Sequence, residues 1–220
     1  MMKIAILVAM GMEASRLIAR IEGARPERAA GREFLRGRIG QAEVVLHICG
    51  MGMRKAAAGT RALIENYRPD ILVNYGVSGG LAPGIGVGDT VVAVSSRPAS
   101  GRAYRTEAAV PTDGDLADFA ARVLPQARKG PAATSLGIIV SKKRKARLVE
   151  KSGALCVDME TYAAAKTARA LGAPLLLIRC MSDTFEPASL LRFFKNGAMA
   201  AERAAADTER VIKALAEGRT

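Results

Sequence analysis

The stretch from Ala154 to Asp183 constrains this chain more than any other. Ala154, Leu155, Cys156 and Val157 are small or apolar and suit a buried strand. Asp158-Met159-Glu160-Thr161 follows as a turn that carries carboxylates. The Ala-rich run from Tyr162 to Leu171 predicts a helix, closed by Gly172. Pro174 precedes a second apolar run, Leu175 to Ile178, which leads through Arg179-Cys180-Met181-Ser182 to Asp183. A strand, helix and strand of this length predict a parallel crossover unit. Ligands of such sheets bind beyond the carboxyl ends of the strands. Glu160 and Asp183 each fall just past a strand end, so they are expected to meet on a ligand-binding rim.

The rest of the chain supplies the sheet around that unit. Lys3 to Ala9 predicts a first strand, and Met10-Gly11-Met12 turns into a helix from Glu13 to Ile21. On a purely structural reading, Glu13 complements the positive end of that helix dipole. Gly23 to Gly31 reads as a polar loop, then Phe34 to Ile39 and Glu43 to Ile48 as a hairpin around Gly40-Gln41. Cys49-Gly50-Met51-Gly52-Met53 is a Gly-rich turn opening a helix to Tyr67, and such a turn can receive an anion on its N–H groups. It does not complete the three-glycine dinucleotide pattern. Pro69-Asp70 precedes a strand from Ile71 to Asn74, and Gly76-Val77-Ser78-Gly79-Gly80 is a second Gly-rich turn at its end. Further strands are expected at Thr90 to Ser95 and Thr134 to Ser141. Arg97 to Thr112 reads as an irregular loop, and Asp113 as the cap of a helix to Leu124. A basic helix follows Ser141, and a helical tail runs from Pro187 to Glu217, interrupted at Gly197. Alternating strands and helices give an α/β fold, and the early hairpin makes its sheet mixed.

Composition narrows the class. A chain of 220 residues, 50% apolar, can bury one substantial core, and no linker divides it, so 1–220 reads as a single domain. Cys49, Cys156 and Cys180 show no paired spacing and are expected to be reduced. No apolar run reaches membrane-spanning length, which predicts a soluble, cytoplasmic protein. His47, the only histidine, sits in an apolar strand, so a multi-histidine metal site is excluded and no metal is expected. The net charge of +12 admits nucleic acid, a membrane surface or an anionic substrate. Its densest run, Lys142-Lys143-Arg144-Lys145 and Arg147, reads either as the solvated start of a helix or as a patch for anionic membrane. No zinc spacing, helix-turn-helix signal or aromatic-interleaved sheet motif accompanies it, so no nucleic acid is expected.

Four stretches carry a family resemblance: Ala9-Met10-Gly11-Met12-Glu13; Gly50-Met51-Gly52; Asn74 to Pro83 with Gly88-Asp89; and Val157 to Glu160 with Arg179 to Asp183. In order and spacing they resemble the purine nucleoside phosphorylase and uridine phosphorylase superfamily, and within it the 5′-methylthioadenosine/S-adenosylhomocysteine nucleosidases. The resemblance implies a three-layer sandwich, a central twisted mixed sheet flanked by helices. It implies cleavage of the C1′–N9 bond of a purine nucleoside, with adenine released from a 5′-substituted adenosine. A purine anion is a poor leaving group, so a general acid must protonate the base as the bond breaks. The family's acid falls on Asp183. Met159 and Glu160 take the ribose, with Glu160 on its hydroxyls, Glu13 orients and deprotonates water, and Arg179 orders the cluster. Gly76, Val77, Ser78, Gly79, Ser182 and Ser141 fall at substrate-binding positions, and Gly50 and Gly52 at an anion or water site. A homodimer is implied, with no cofactor apart from phosphate as co-substrate if the reaction is phosphorolytic.

The chain also departs from that pattern. Val77 stands where the family has a hydroxyl after Gly76, with Ser78 one residue later. Lys142-Lys143-Arg144 follows Ser141 directly, where the nucleosidases have a Gly-Asp loop whose Phe covers the adenine. The Gly-x-x-Gly-Gly-Leu turn and the element Gly153 to Glu160 resemble hopanoid-associated phosphorylase, which removes adenine from an adenosylated lipid. Attack by phosphate would make the chain a glycosyltransferase, and attack by water a hydrolase. Glu13 favours water, because a phosphate needs neutral or positive partners. A catalytically inactive nucleoside-binding module is the remaining alternative.

Overall fold

The computed structural model describes residues 1–99, 107–139, 141–184 and 190–218. In chain order its elements are β1 (Lys3–Val8), α1 (Gly11–Ile18), β2 (Glu22–Ala29), β3 (Arg32–Ile39), β4 (Ala42–Ile48), α2 (Met53–Tyr67), β5 (Ile71–Gly80) and β6 (Thr90–Pro98). They continue with β7 (Val110–Pro111), α3 (Gly114–Val123), β8 (Arg128–Thr134), α4 (Lys142–Ser152), β9 (Cys156–Asp158), α5 (Thr161–Ala170), β10 (Leu175–Asp183) and α6 (Leu190–Glu217).

β1 shows how the layers form. Ile4, Ile6 and Val8 join one core cluster, Ala5 and Leu7 another, and all five are fully buried. A strand covered on both faces is an unbroken apolar run rather than an alternation. α1, α3 and α6 pack on the first face, and α2 and α5 on the second. The fold is a mixed sheet flanked by helices, as expected.

The sheet has more curvature than the sequence suggests. From one edge it runs β2, β3, β4, β1, β5. Beyond β5 the pairings close on themselves: β5 with β10, β10 with β6, β6 with β8, β8 with β9, and β9 back to β5. β9 lies parallel to β8 and antiparallel to β5, whereas β10 runs parallel to β5. β9 and β10 are therefore not the parallel crossover pair expected. β9 is only three residues long and fills the gap between β8 and the far end of β5.

Several boundaries also differ. The expected loop Gly23 to Gly31 is largely β2, an exposed edge strand paired with β3. Solvent on both faces removes the apolar alternation that marks a strand. The expected strand Thr134 to Ser141 instead ends at Thr134 and begins at Arg128, through Gly130-Pro131. A Cβ on Gly130 would lie 2.5 Å from Leu155 Cδ1, so close packing explains that glycine. β5 continues through the second Gly-rich turn to Gly80, and β10 continues to Asp183. α6 runs unbroken through Gly197. One interior glycine costs about 1 kcal/mol, which the burial of Ala200, Ala201, Ala204 and Ala205 outweighs. Pro187 and part of the 97–112 loop lie outside the described residues.

Candidate active site

Two glycines of β5 make room for two carboxylates. A Cβ on Gly76 would lie 2.7 Å from Glu13 Oε1, and a Cβ on Gly79 would lie 2.8 Å from Asp183 Oδ1. Any side chain at either position would displace its carboxylate. Glu13 is buried near the start of α1, where Oε2 accepts the Met10 N–H at 2.9 Å and Oε1 accepts the Val77 N–H at 2.7 Å. The helix-cap reading of Glu13 thus describes half of its contacts. The other half tie it to β5, and Val77 contributes its backbone N–H there rather than a hydroxyl.

Glu160 is held by the Gly-rich turn before α2. Its Oε1 accepts the Gly52 N–H at 2.7 Å and its Oε2 accepts the Met159 N–H at 3.2 Å. An anion does sit at this helix start, but it is the protein's own carboxylate. Asp183 closes the group from the end of β10, with Oδ1 accepting the Gly80 N–H at 3.1 Å. Its Oδ2 accepts from Lys145 Nζ at 2.9 Å, a buried ion pair.

Behind these lies a polar hub centred on Asp158. Its Oδ1 accepts from Thr134 Oγ1 and Thr161 Oγ1, each at 2.9 Å, and from the N–H groups of Glu160 and Thr161. Its Oδ2 accepts from Arg179 Nε at 2.7 Å. Arg179 also donates to the carbonyls of Asn74 and Ile178 and to Asn74 Oδ1. Buried charges are tolerated when paired and hydrogen-bonded, and this pair is both. Arg179 lies beneath the site and does not reach the cavity surface.

The cavity above has a volume of about 260 Å³. Glu13, Glu160 and Asp183 line it, together with Val77, Ser78, Gly79, Ser182 and Met159, and Asp158 lies at its floor with its carboxylate turned to the hub beneath. Met10, Met51, Ile138 and Ile139 add apolar wall. No Lys or Arg lines it among the described residues, and Arg54 is exposed elsewhere. Gly50, Gly52, Gly76 and Ser141 lie off the lining, and Ser141 caps α4 by accepting the Arg144 N–H.

Two residues that bond to the site stand outside the expected set. Asp158 is expected within the turn and the Val157 to Glu160 stretch, with no role of its own. Lys145 was read with the exposed basic run, yet it is fully buried. Its signal was present: Lys145, Leu148, Val149 and Ser152 share the helical spacing of one face, and that face is the buried or half-buried side of α4.

Clustered acids in a dry site resist ionisation. Burial, helped by the charge of Asp158 and opposed by the Gly52 N–H and Arg179, pushes Glu160 up to about 7. Burial also raises Glu13, against the pull of the Val77 and Met10 N–H groups. Raised above its unfolded value of 4.5, Glu160 contributes stability that is complete below that pH and is lost as pH rises through about 7. Glu160→Gln keeps an acceptor for Gly52 and cannot ionise. At pH 8 it is expected to be more stable than the parent by up to about 3 kcal/mol and so to melt at a higher temperature, with the difference gone at pH 4. Equal melting temperatures at pH 8 would contradict this environment for Glu160.

Comparison with known proteins agrees with the geometry. Residues 3–213 match the family model described as the phosphorylase superfamily. The 5′-methylthioadenosine/S-adenosylhomocysteine nucleosidase of Geobacillus kaustophilus is 34% identical, over 83% of this chain and 84% of that protein. The protein of the same name from Chromohalobacter salexigens is 30% identical over 98% of both. A solved 5′-methylthioadenosine/S-adenosylhomocysteine nucleosidase from Streptococcus pneumoniae, holding a transition-state inhibitor, superposes with a TM-score of 0.89 at 26% identity, covering 97% of this chain and all of that one. The chain belongs to the phosphorylase superfamily. It is an enzyme that cleaves the N-glycosidic bond of a purine nucleoside.

Proposed function

We propose that this enzyme hydrolyses a 5′-substituted adenosine, of which 5′-methylthioadenosine is the simplest candidate, and releases adenine. The observation that carries the reading is the charge of the cavity: the carboxylates of Glu13, Glu160 and Asp183 line it and no cation does among the described residues. Such a wall stabilises the positive ribose of an oxocarbenium-like transition state and repels a phosphate dianion. Glu160 holds the ribose hydroxyls, Glu13 takes a proton from the attacking water, and Asp183 protonates the leaving base. Both glutamates work as carboxylates, so kcat/KM is expected to fall as pH drops below about 7, where Glu160 takes up its proton.

Water is the only co-substrate in this reading, and no cofactor takes part. Phosphorolytic removal of adenine from a lipid finds no support in the cavity charge. The apolar wall of Met10, Met51, Ile138 and Ile139 suits an apolar 5′ group. Exposed Met12, Met51, Leu136 and Ile138, on or beside that wall, favour a homodimer that covers them. Free cysteines suit the cytoplasm. The outward cations of α4, Lys143, Arg144 and Arg147, remain available for peripheral contact with anionic membrane. Adenine release from 5′-methylthioadenosine tests the reading. Saturable binding of the nucleoside without turnover would replace it with a nucleoside-binding module.

A further inference from the structure

Lys145 is the buried cation that the chemistry has not yet used. It is one of the largest fully buried side chains in the protein. Its Nζ donates to Asp183 Oδ2 at 2.9 Å, to the Gly80 carbonyl at 3.3 Å and to the Thr184 carbonyl at 2.5 Å. An ammonium has three N–H donors and a neutral amine has two. Three acceptors around one nitrogen therefore match the charged form. Gly80 is gripped twice, its N–H by Asp183 and its C=O by Lys145, so lysine, aspartate and backbone form a closed triangle. A lysine buried only for stability has cheaper solutions, because apolar residues of similar volume replace buried ion pairs with little loss. The pair sits at the one carboxylate that must deliver a proton.

We infer that Lys145 is a positioning residue for Asp183 and the reserve of the proton that leaves with the base. The inference rests on the assignment of Asp183 as the general acid. In the resting pair the proton is on Nζ and Asp183 is a carboxylate. As the C1′–N9 bond breaks, its electron pair passes to the purine. A proton then moves from Nζ to the Asp183 carboxyl and from that carboxyl to a ring nitrogen. The base leaves neutral, Asp183 is again a carboxylate, and Lys145 is an amine that takes a proton from water once the product has gone. Lys145 does not line the cavity, so it acts only through Asp183. The exposed members of the run, Lys143, Arg144 and Arg147, have no part in this.

The test compares Lys145→Met and Lys145→Gln on a purine nucleoside and on a nitrophenyl riboside, whose leaving group departs without a proton. Both variants are expected to lose roughly 10²-fold in kcat on the purine, with KM little changed and far less loss on the nitrophenyl substrate. Equal losses on the two substrates, or no loss on the purine, would overturn the inference and leave Lys145 a structural residue. A third arm uses the unaltered enzyme in single-turnover reactions across mixtures of light and heavy water. Run on both substrates, the ratio of the purine rate to the nitrophenyl rate cancels the water proton taken by Glu13; two remaining protons make that ratio bow below a straight line against deuterium fraction, whereas a straight line would overturn the relay even if neither variant folds. Asp183→Asn run alongside separates the two claims. If it leaves purine cleavage intact, the Asp183 assignment fails. If it slows cleavage and the Lys145 variants do not, only the present inference fails.

Discussion

Asp183→Asn is expected to lower kcat on a purine nucleoside by about 10²–10⁴-fold, while KM moves far less. Asn keeps the shape of the side chain; its single carbonyl oxygen can stand in for Oδ2 and accept from Lys145 Nζ, at the loss of the Gly80 N–H bond, and its amide can still donate a hydrogen bond to the bound base. It cannot give up a proton. The lost interaction forms in the transition state, so the defect falls on kcat and not on binding. A nitrophenyl riboside should recover much of the rate. Full activity of the variant on the purine would remove Asp183 from the mechanism, and equal losses on the two substrates would mean that the substitution had disturbed the fold of the site.

The second large effect is on stability. Arg179→Met removes the cation paired with Asp158 at 2.7 Å and strands a buried carboxylate. Breaking one side of a buried pair typically costs about 3–5 kcal/mol, because the partner is left charged and uncompensated. Urea unfolding near pH 7 should show that loss. Asp158→Asn added to Arg179→Met should recover part of it, since the stranded charge is then gone. Arg179 also lowers the proton affinity of Glu13 and Glu160. In its absence the acid limb of kcat/KM should move to higher pH. Additive single losses in the unfolding cycle would show that Asp158 and Arg179 do not act as a pair.

Much of this site was legible from sequence because its carboxylates fall at the ends of apolar runs. Leu175 to Ile178 and Ala154 to Val157 announce buried strands, and Glu160 and Asp183 follow them onto one cavity. The Gly-rich turns were legible as places of close approach. Their partners were not: Gly76 clears Glu13 and Gly79 clears Asp183, while Gly52 offers its N–H to Glu160. Those partners are distant in sequence, and a glycine does not say what approaches it. β2 was missed because an edge strand exposed on both faces has no apolar pattern. β8 was missed because Gly130-Pro131 reads as a turn. Closure of β5, β10, β6, β8 and β9 into a ring depends on pairings that no local pattern encodes. Lys145 was hidden by its neighbours, since a charge run suggests solvent for every member although helical spacing turns one of them inward.

On the proposed reading, the inward carboxylates of Glu13, Glu160 and Asp183 make this site a hydrolase. The most direct measurement identifies the sugar left after 5′-methylthioadenosine is cleaved, with and without saturating inorganic phosphate. The cavity charge predicts the free reducing sugar and adenine in both reactions, at the same rate. A sugar 1-phosphate, or turnover that requires phosphate, would contradict it.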